Sequence, residues 1–205
     1  MIPDYWHEAS QRLAADDPVM AALVEEYADV SLASRGDPFA TLARSIVGQQ
    51  ISVLAADSVW ARLVAALPAI TPTAVLSSEA TALRACGLSA RKIEYLGDLA
   101  DHFARGALAV EHWPAMSDAQ VIAELTAVRG IGVWTAEMFL IFNLLRPDVL
   151  PLDDIGLQRA VARHYTGGER PTRRALAAHG ERWRPWRSVA TWYLWRSLDP
   201  TPVAY

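Results

Sequence analysis

Residues 125–159 read LTAVRGIGVWTAEMFLIFNLLRPDVLPLDDIGLQR, and the way this stretch is punctuated decides the fold. A helix end meets the tight turn Arg129-Gly130-Ile131-Gly132, and a second, apolar helix runs from Val133 to about Leu145. Pro147 and Pro151 brake the chain, and the pair Asp153-Asp154 opens a third helix. Glycine enters positive φ cheaply and lets a foreign backbone approach, which is the expectation for Gly130 and Gly132. Ile131 between them is expected to turn inward and pin the helices. The first amides of the second helix lack intrahelical partners and form a ready anion site. Asp154 stands where a carboxylate caps the next helix.

This stretch resembles the helix-hairpin-helix plus Gly/Pro…Asp signature of a DNA-repair glycosylase superfamily, the one that includes endonuclease III. Two flanking pieces, Ala43-Arg44-Ser45-Ile46-Val47-Gly48-Gln49-Gln50-Ile51-Ser52 and Trp183-Arg184-Pro185-Trp186-Arg187-Ser188, are similar to the 3-methyladenine DNA glycosylase II branch. The likeness is discontinuous and spans roughly 39–195. Three separated motifs in the right order carry it, where a lone Gly-Ile-Gly would not.

Bulk properties are consistent with an enzyme that folds as an ordinary globule. The chain has 205 residues, 52% hydrophobic and 20% charged, with no low-complexity tract. Residues 1–17 are acidic and lack the basic-then-apolar pattern of a signal peptide, and no apolar run reaches membrane-spanning length. The expectation is a cytosolic protein with no membrane partner. The single cysteine, Cys86, excludes an internal disulfide and a cysteine-ligated iron–sulfur cluster. The five histidines show no metal-ligand spacing, so neither metal nor cofactor is expected; the resemblance allows a structural cation on hairpin carbonyls. A net charge of −4 argues mildly against a nonspecific DNA coat. The acidic residues cluster early and the arginines late, and Lys92 is the only lysine.

Along the chain, 4–30 reads as one or two helices, and 34–38 as a turn cluster. Helices are expected over 39–47 and 51–67, interrupted by Gly48-Gln49-Gln50, then near Pro72 and Glu79. Others follow over about 90–103, from Ser117-Asp118 to the hairpin, from Asp154 to about Tyr165, after Pro171, and over about 185–198. The fold class is all-α. By resemblance it has two helical lobes with a cleft between them: about 36–146, including the hairpin at 125–146, and 1–35 with 147–205. The chain leaves no room for the extra N-terminal β domain of some relatives.

The resemblance assigns Asp154 as the catalytic residue; the bland alternative is a plain N-cap. Cleaving an N-glycosidic bond develops positive charge on the sugar, which a carboxylate near C1′ stabilises while it orients water. Asp153 is the competitor, but Asp154-Ile155-Gly156-Leu157 fits the family register better. Trp134 stands where bifunctional relatives carry a Schiff-base lysine, which implies a monofunctional enzyme that leaves an abasic site. Trp134 and Trp195 resemble the aromatic faces of a base-binding cleft, with core filling as the alternative. Met138 and Ile155 stand where some members carry further aromatics. A base alkylated at N3 of adenine or N7 of guanine is cationic, and over an indole face it gains about 0.5–2 kcal/mol.

Gln50 resembles the wedge that fills the gap left by a flipped nucleotide, with a polar loop or cap as the alternative. The expected DNA contacts are Gln49, Gln50, Arg129, Gly130, Gly132 and, as an auxiliary backbone contact, Lys92. Arg182, Arg184, Arg187 and Arg196 read by default as solvated surface. Trp183, Trp186 and Trp192 read as core. The implied partner is double-stranded DNA carrying alkylated bases, bound by a monomer. The rivals are a glycosylase for mismatched, deaminated or oxidised bases, and a helix-hairpin-helix module that binds DNA without catalysis.

Overall fold

In the computed structural model residues 2–198 are described, and every regular element among them is helical. In chain order these are α1 (Trp6–Asp16), α2 (Pro18–Glu26), α3 (Pro38–Gly48), α4 (Val53–Ala66), α5 (Pro72–Leu76) and α6 (Ala80–Ala85). Then come α7 (Ala90–Ala104), α8 (Asp118–Thr126), α9 (Val133–Phe142), α10 (Ile155–Tyr165), α11 (Arg173–Gly180) and α12 (Arg187–Leu198). Short 3₁₀ turns lie at Trp113–Ala115 and Glu181–Trp183. No helix among the described residues is long and apolar enough to cross a membrane.

Helix starts follow side-chain chemistry. Asp17, Asp37, Ser52, Thr71, Ser89, Ser117, Asp154 and Thr172 each turn an oxygen onto an amide of the first turn. Ser117 and Gln120 form a reciprocal capping box. Three boundaries differ from the sequence expectation. Helix α4 begins at Val53 rather than 51, because Gln50 takes φ 58° and Ser52 becomes the cap. Helix α9 ends at Phe142 rather than 145: Leu145 turns to φ 53° and the Arg146 N–H closes onto the Leu140 carbonyl. Helix α12 begins at Arg187, after the Trp183–Pro185 turn.

The chain packs as two compact units, 35–139 and 2–34 with 140–198. One division therefore falls inside α9, between Phe139 and Leu140. The last turn of α9 belongs with the second unit, where Phe142 stacks on Trp195 at 5.6 Å and 16°.

In the 35–139 unit, α3, α4, α7, α8 and the first turns of α9 surround a core holding Leu42, Ile46, Leu63, Leu96, Leu99 and Leu125, all at most 1% exposed. Aromatic edges link Phe39, Phe103, Trp113 and Phe139 in series. Trp113 is fully buried, and its indole N–H is satisfied by Glu124 at 2.8 Å.

In the other unit, α1 and α2 pack with α10, α11 and α12 around Met20, Leu157, Val161, Leu176, Trp183 and Tyr193. On α10 the buried positions Leu157, Ala160 and Val161 follow helical spacing, and each large aliphatic side chain so buried contributes about 1.5–3 kcal/mol. Trp6 packs edge-on against Trp192 and stacks on Tyr193. Asp17 ties the unit together by capping α2 and accepting hydrogen bonds from Tyr165 and Trp183. As read from the sequence, Trp183 and Trp192 are core; Trp186 is half-buried and stacks on Tyr5.

Candidate functional site

The hairpin between α8 and α9 is held by its own residues and by α7. Ile131 is buried, and its N–H donates to the Val128 carbonyl at 3.1 Å. Gly130 takes φ 88°, and a Cβ there would lie 2.2 Å from Cδ2 of Tyr95, so the backbone rests on that ring. Gly132 differs: its φ lies outside the left-handed region and an added Cβ meets nothing within 4 Å. The chain's own geometry thus requires glycine at 130 only, and the space over Gly132 is open. The Gly132 carbonyl accepts from Ala136 and so begins α9.

Arg129 is pulled towards α7. Asp98 accepts its backbone N–H at 2.8 Å and its Nε–H at 3.1 Å. Burial alone would raise the Asp98 carboxyl, but the bonds from Arg129 outweigh it and its pKa falls below the ordinary value. Lys92, one turn and a half earlier on α7, donates from Nζ to the Val47 carbonyl at 2.7 Å. Desolvation lowers its pKa.

Gln49 and Gln50 occupy the interruption between α3 and α4. Gln50 is exposed, and Gln49 reaches from Nε2 to the Gly130 carbonyl at 2.7 Å, joining this loop to the hairpin. Beside them lies a cavity of about 110 Å³ whose lining includes Gln49, Val53, Trp134, Thr135 and Met138. Trp134 is 37% exposed and Met138 is buried, so the two differ in what they can offer a ligand. Arg44 also lines the cavity while pairing with Asp57 at 2.6 Å.

Asp154 is built by the other unit. It caps α10, is only 6% exposed, and its Oδ1 accepts from the Leu157 N–H at 2.6 Å and the Trp195 indole N–H at 2.7 Å. Charge-assisted bonds of this length fix a carboxylate's orientation. Gly156 makes room for the pair, since a Cβ there would lie 3.0 Å from Trp195 and 3.1 Å from Asp154. Asp153, by contrast, points to solvent and pairs with Arg173 at 3.1 Å. Ile155 is 55% exposed, an apolar side chain at the first helical position.

The late arginines depart from a purely solvated reading. Arg187 grips Asp148 with Nε at 2.6 Å and Nη2 at 3.0 Å, and Arg184 adds a 2.7 Å contact. Arg187 is half-buried against Asp148, and Arg196 is buried against the Trp192 ring.

The structure brings Asp154 to Trp195, Gln49 to Gly130, and Trp134 to Met138. Lys92 and Arg129 are drawn onto internal partners. Sequence reasoning missed Tyr95, Asp98, Gly156 and Arg44. Helical spacing of 3 from Lys92 to Tyr95 to Asp98 was a usable signal for the first two, whereas Gly156 and Arg44 lay inside quoted motifs without a role. Among the described residues no cluster of three or more His, Cys, Asp or Glu is placed to hold a metal.

Comparisons with known proteins find relatives over most of the chain. A Bacillus subtilis putative DNA-3-methyladenine glycosylase is 32% identical over 188 residues, covering 88% of this chain and 66% of that protein, so the chain spans about two thirds of that relative. A Bacillus halodurans DNA-3-methyladenine glycosidase superposes with a TM-score of 0.84 at 36% identity, covering 93% of this chain and 89% of its own. The Schizosaccharomyces pombe 3-methyladenine DNA glycosylase in complex with abasic DNA gives a TM-score of 0.83 at 30% identity, covering 97% and 99%. Residues 43–185, which hold the interrupting loop, the hairpin and Asp154, match the family model of HhH-GPD superfamily base excision DNA repair proteins, and the chain belongs to that superfamily.

Proposed function

We propose that this protein is a monofunctional DNA glycosylase that hydrolyses the N-glycosidic bond of alkylated bases, 3-methyladenine and 7-methylguanine, in double-stranded DNA. The observation that carries the reading is Asp154, a buried carboxylate fixed by the Leu157 and Trp195 N–H groups in a chain with a Gly-Ile-Gly hairpin. As the C1′–N bond stretches, positive charge grows on the sugar, and the Asp154 carboxylate stabilises it and orients the attacking water. The bond breaks with its electron pair leaving on the alkylated base, which neutralises that base's positive charge. Water adds a hydroxyl at C1′ and gives up a proton.

Selectivity follows from charge. A cationic base over the exposed indole face of Trp134 gains an attraction that a normal base lacks. The same charge makes the base a good leaving group, so no strong general acid and no cofactor are called for. Gln50 fills the gap as the nucleotide leaves the stack. The amides at the start of α9 grip a phosphate without reading sequence. Trp134 cannot form a Schiff base, so the product is an abasic site and the strand stays intact. The protein acts as a monomer in the bacterial cytosol or nucleoid.

The test is chromatography of free bases released from methylated duplex DNA, with wild type beside Asp154→Asn. Release of 3-methyladenine or 7-methylguanine by wild type alone supports the reaction, the substrate and the residue together. Release by Asp154→Asn at the wild-type rate refutes the assignment of Asp154. DNA binding without release, across deaminated and mismatched substrates as well, favours a binding module. Borohydride trapping of a covalent DNA complex would sink the monofunctional reading.

A further inference from the structure

The face of α7 formed by Lys92, Tyr95 and Asp98 supports, at three successive steps, the two loops that carry the proposed DNA contacts. Lys92 Nζ donates to the carbonyl of Val47, at the C-terminal end of α3 immediately before Gly48-Gln49-Gln50. Tyr95 lies under Gly130, and Asp98 holds the backbone and side chain of Arg129. From the other side Gln49 closes onto the Gly130 carbonyl. The loop that ends in Gln50 at φ 58° is therefore pinned at its entry by an ammonium group and at its middle by a side-chain amide.

We propose that Lys92 is a positioning residue for Gln50: its ammonium fixes the end of α3 and so aims the wedge. It is not a ligand for the DNA backbone. A lysine on a solvated face would keep its charge in water and grip phosphate. This one is half-buried and spends its charge on the last turn of α3, where helix carbonyls lack intrahelical partners and the dipole favours a cation. The inference rests on the reading of Gln50 as the wedge in a glycosylase.

Lys92→Met keeps the aliphatic stem and removes the ammonium, and Lys92→Arg restores a cation. Three readouts apply: single-turnover base release from methylated duplex, 2-aminopurine fluorescence in duplex carrying an abasic analogue, and the salt dependence of duplex binding. Lys92→Met is expected to slow release by about tenfold and to reduce the fluorescence rise. Lys92→Arg recovers part of both. In a Gln50→Ala background Lys92→Met adds little, because the wedge it aims is gone. The salt slope stays at the wild-type value.

Three results overturn the proposal. Lys92→Met at the wild-type rate would show that the loop needs no such support. An equal loss with and without Gln50 would mean a general structural role. A salt slope shallower by about 1 would make Lys92 a phosphate contact. If wild type bound DNA but released no base, the glycosylase reading would fail. The fluorescence comparison would then still decide whether Lys92 controls the loop.

Discussion

Replacing Trp195 by phenylalanine removes one hydrogen bond in the proposed reaction site. A smaller aromatic ring is kept to face Phe142, which the indole stacks on at 5.6 Å, while the N–H that donates to Asp154 at 2.7 Å is lost. The Leu157 N–H remains on the same oxygen. Hydrogen bonds to charged groups contribute about 1.5–3 kcal/mol, and the upper part of that range applies to a carboxylate as buried as Asp154. If the bond holds the carboxylate in its working orientation, that energy appears in the transition state. At about 1.4 kcal/mol per factor of ten, the upper half of that range should slow base release by roughly 40- to 140-fold. The assay is single-turnover release of 3-methyladenine with enzyme in excess, alongside duplex affinity and a melting curve. Unchanged DNA affinity and a small fall in Tm place the loss on the chemical step. Wild-type release by Trp195→Phe, with Asp154→Asn inactive in the same assay, would refute the positioning role of the indole.

Gly130→Ala forces a Cβ into Tyr95 at a left-handed φ, and about 2 kcal/mol of strain should lower Tm by roughly 4–8 °C and weaken duplex binding. Adding Tyr95→Ala should recover part of that loss, which a double-mutant cycle in urea would read. Arg187→Ala should cost about 2 kcal/mol in denaturant unfolding, less than a fully buried pair because Asp148 is partly exposed, and Arg184→Ala should change stability far less. His179 packs between Tyr165 and Trp183, and burial, then the Arg182 charge, lower its pKa from 6.5 against a smaller upward pull from Asp17. A lowered value means the unfolded chain binds the proton more readily, so this stabilisation is present above pH 6.5 and is lost as pH falls below it. Tm measured across that range should fall on acidification, and His179→Gln should flatten the trend.

The part of this protein legible in its sequence was the part governed by local chemistry. Helix caps at Ser117 and Asp154, the helical spacing of buried positions, and the glycine turn at 130 all depend on neighbours within a few residues. What escaped depended on partners far along the chain. Lys92 looked like a surface cation until Val47 appeared beside it, 45 residues away. Trp195 read as an aromatic face, and its N–H bond to Asp154 crosses 41 residues. Arg187 reads as solvated because nothing in its own helix announces Asp148, 39 residues away, whereas Trp192, one turn before Arg196 on α12, was a usable signal for that arginine. The ends of α4 and α9 moved because two ordinary side chains, Gln50 and Leu145, adopt a backbone conformation that sequence patterns reserve for glycine.

Gln50 in that conformation sets two selections against each other. A non-glycine residue there costs about 1 kcal/mol, which glycine would relieve. Variants selected only to survive heat should therefore drift to Gln50→Gly, and the same change would be purged from cells challenged with an alkylating agent. The residue found at this position in a laboratory lineage would record which of the two pressures the lineage had met.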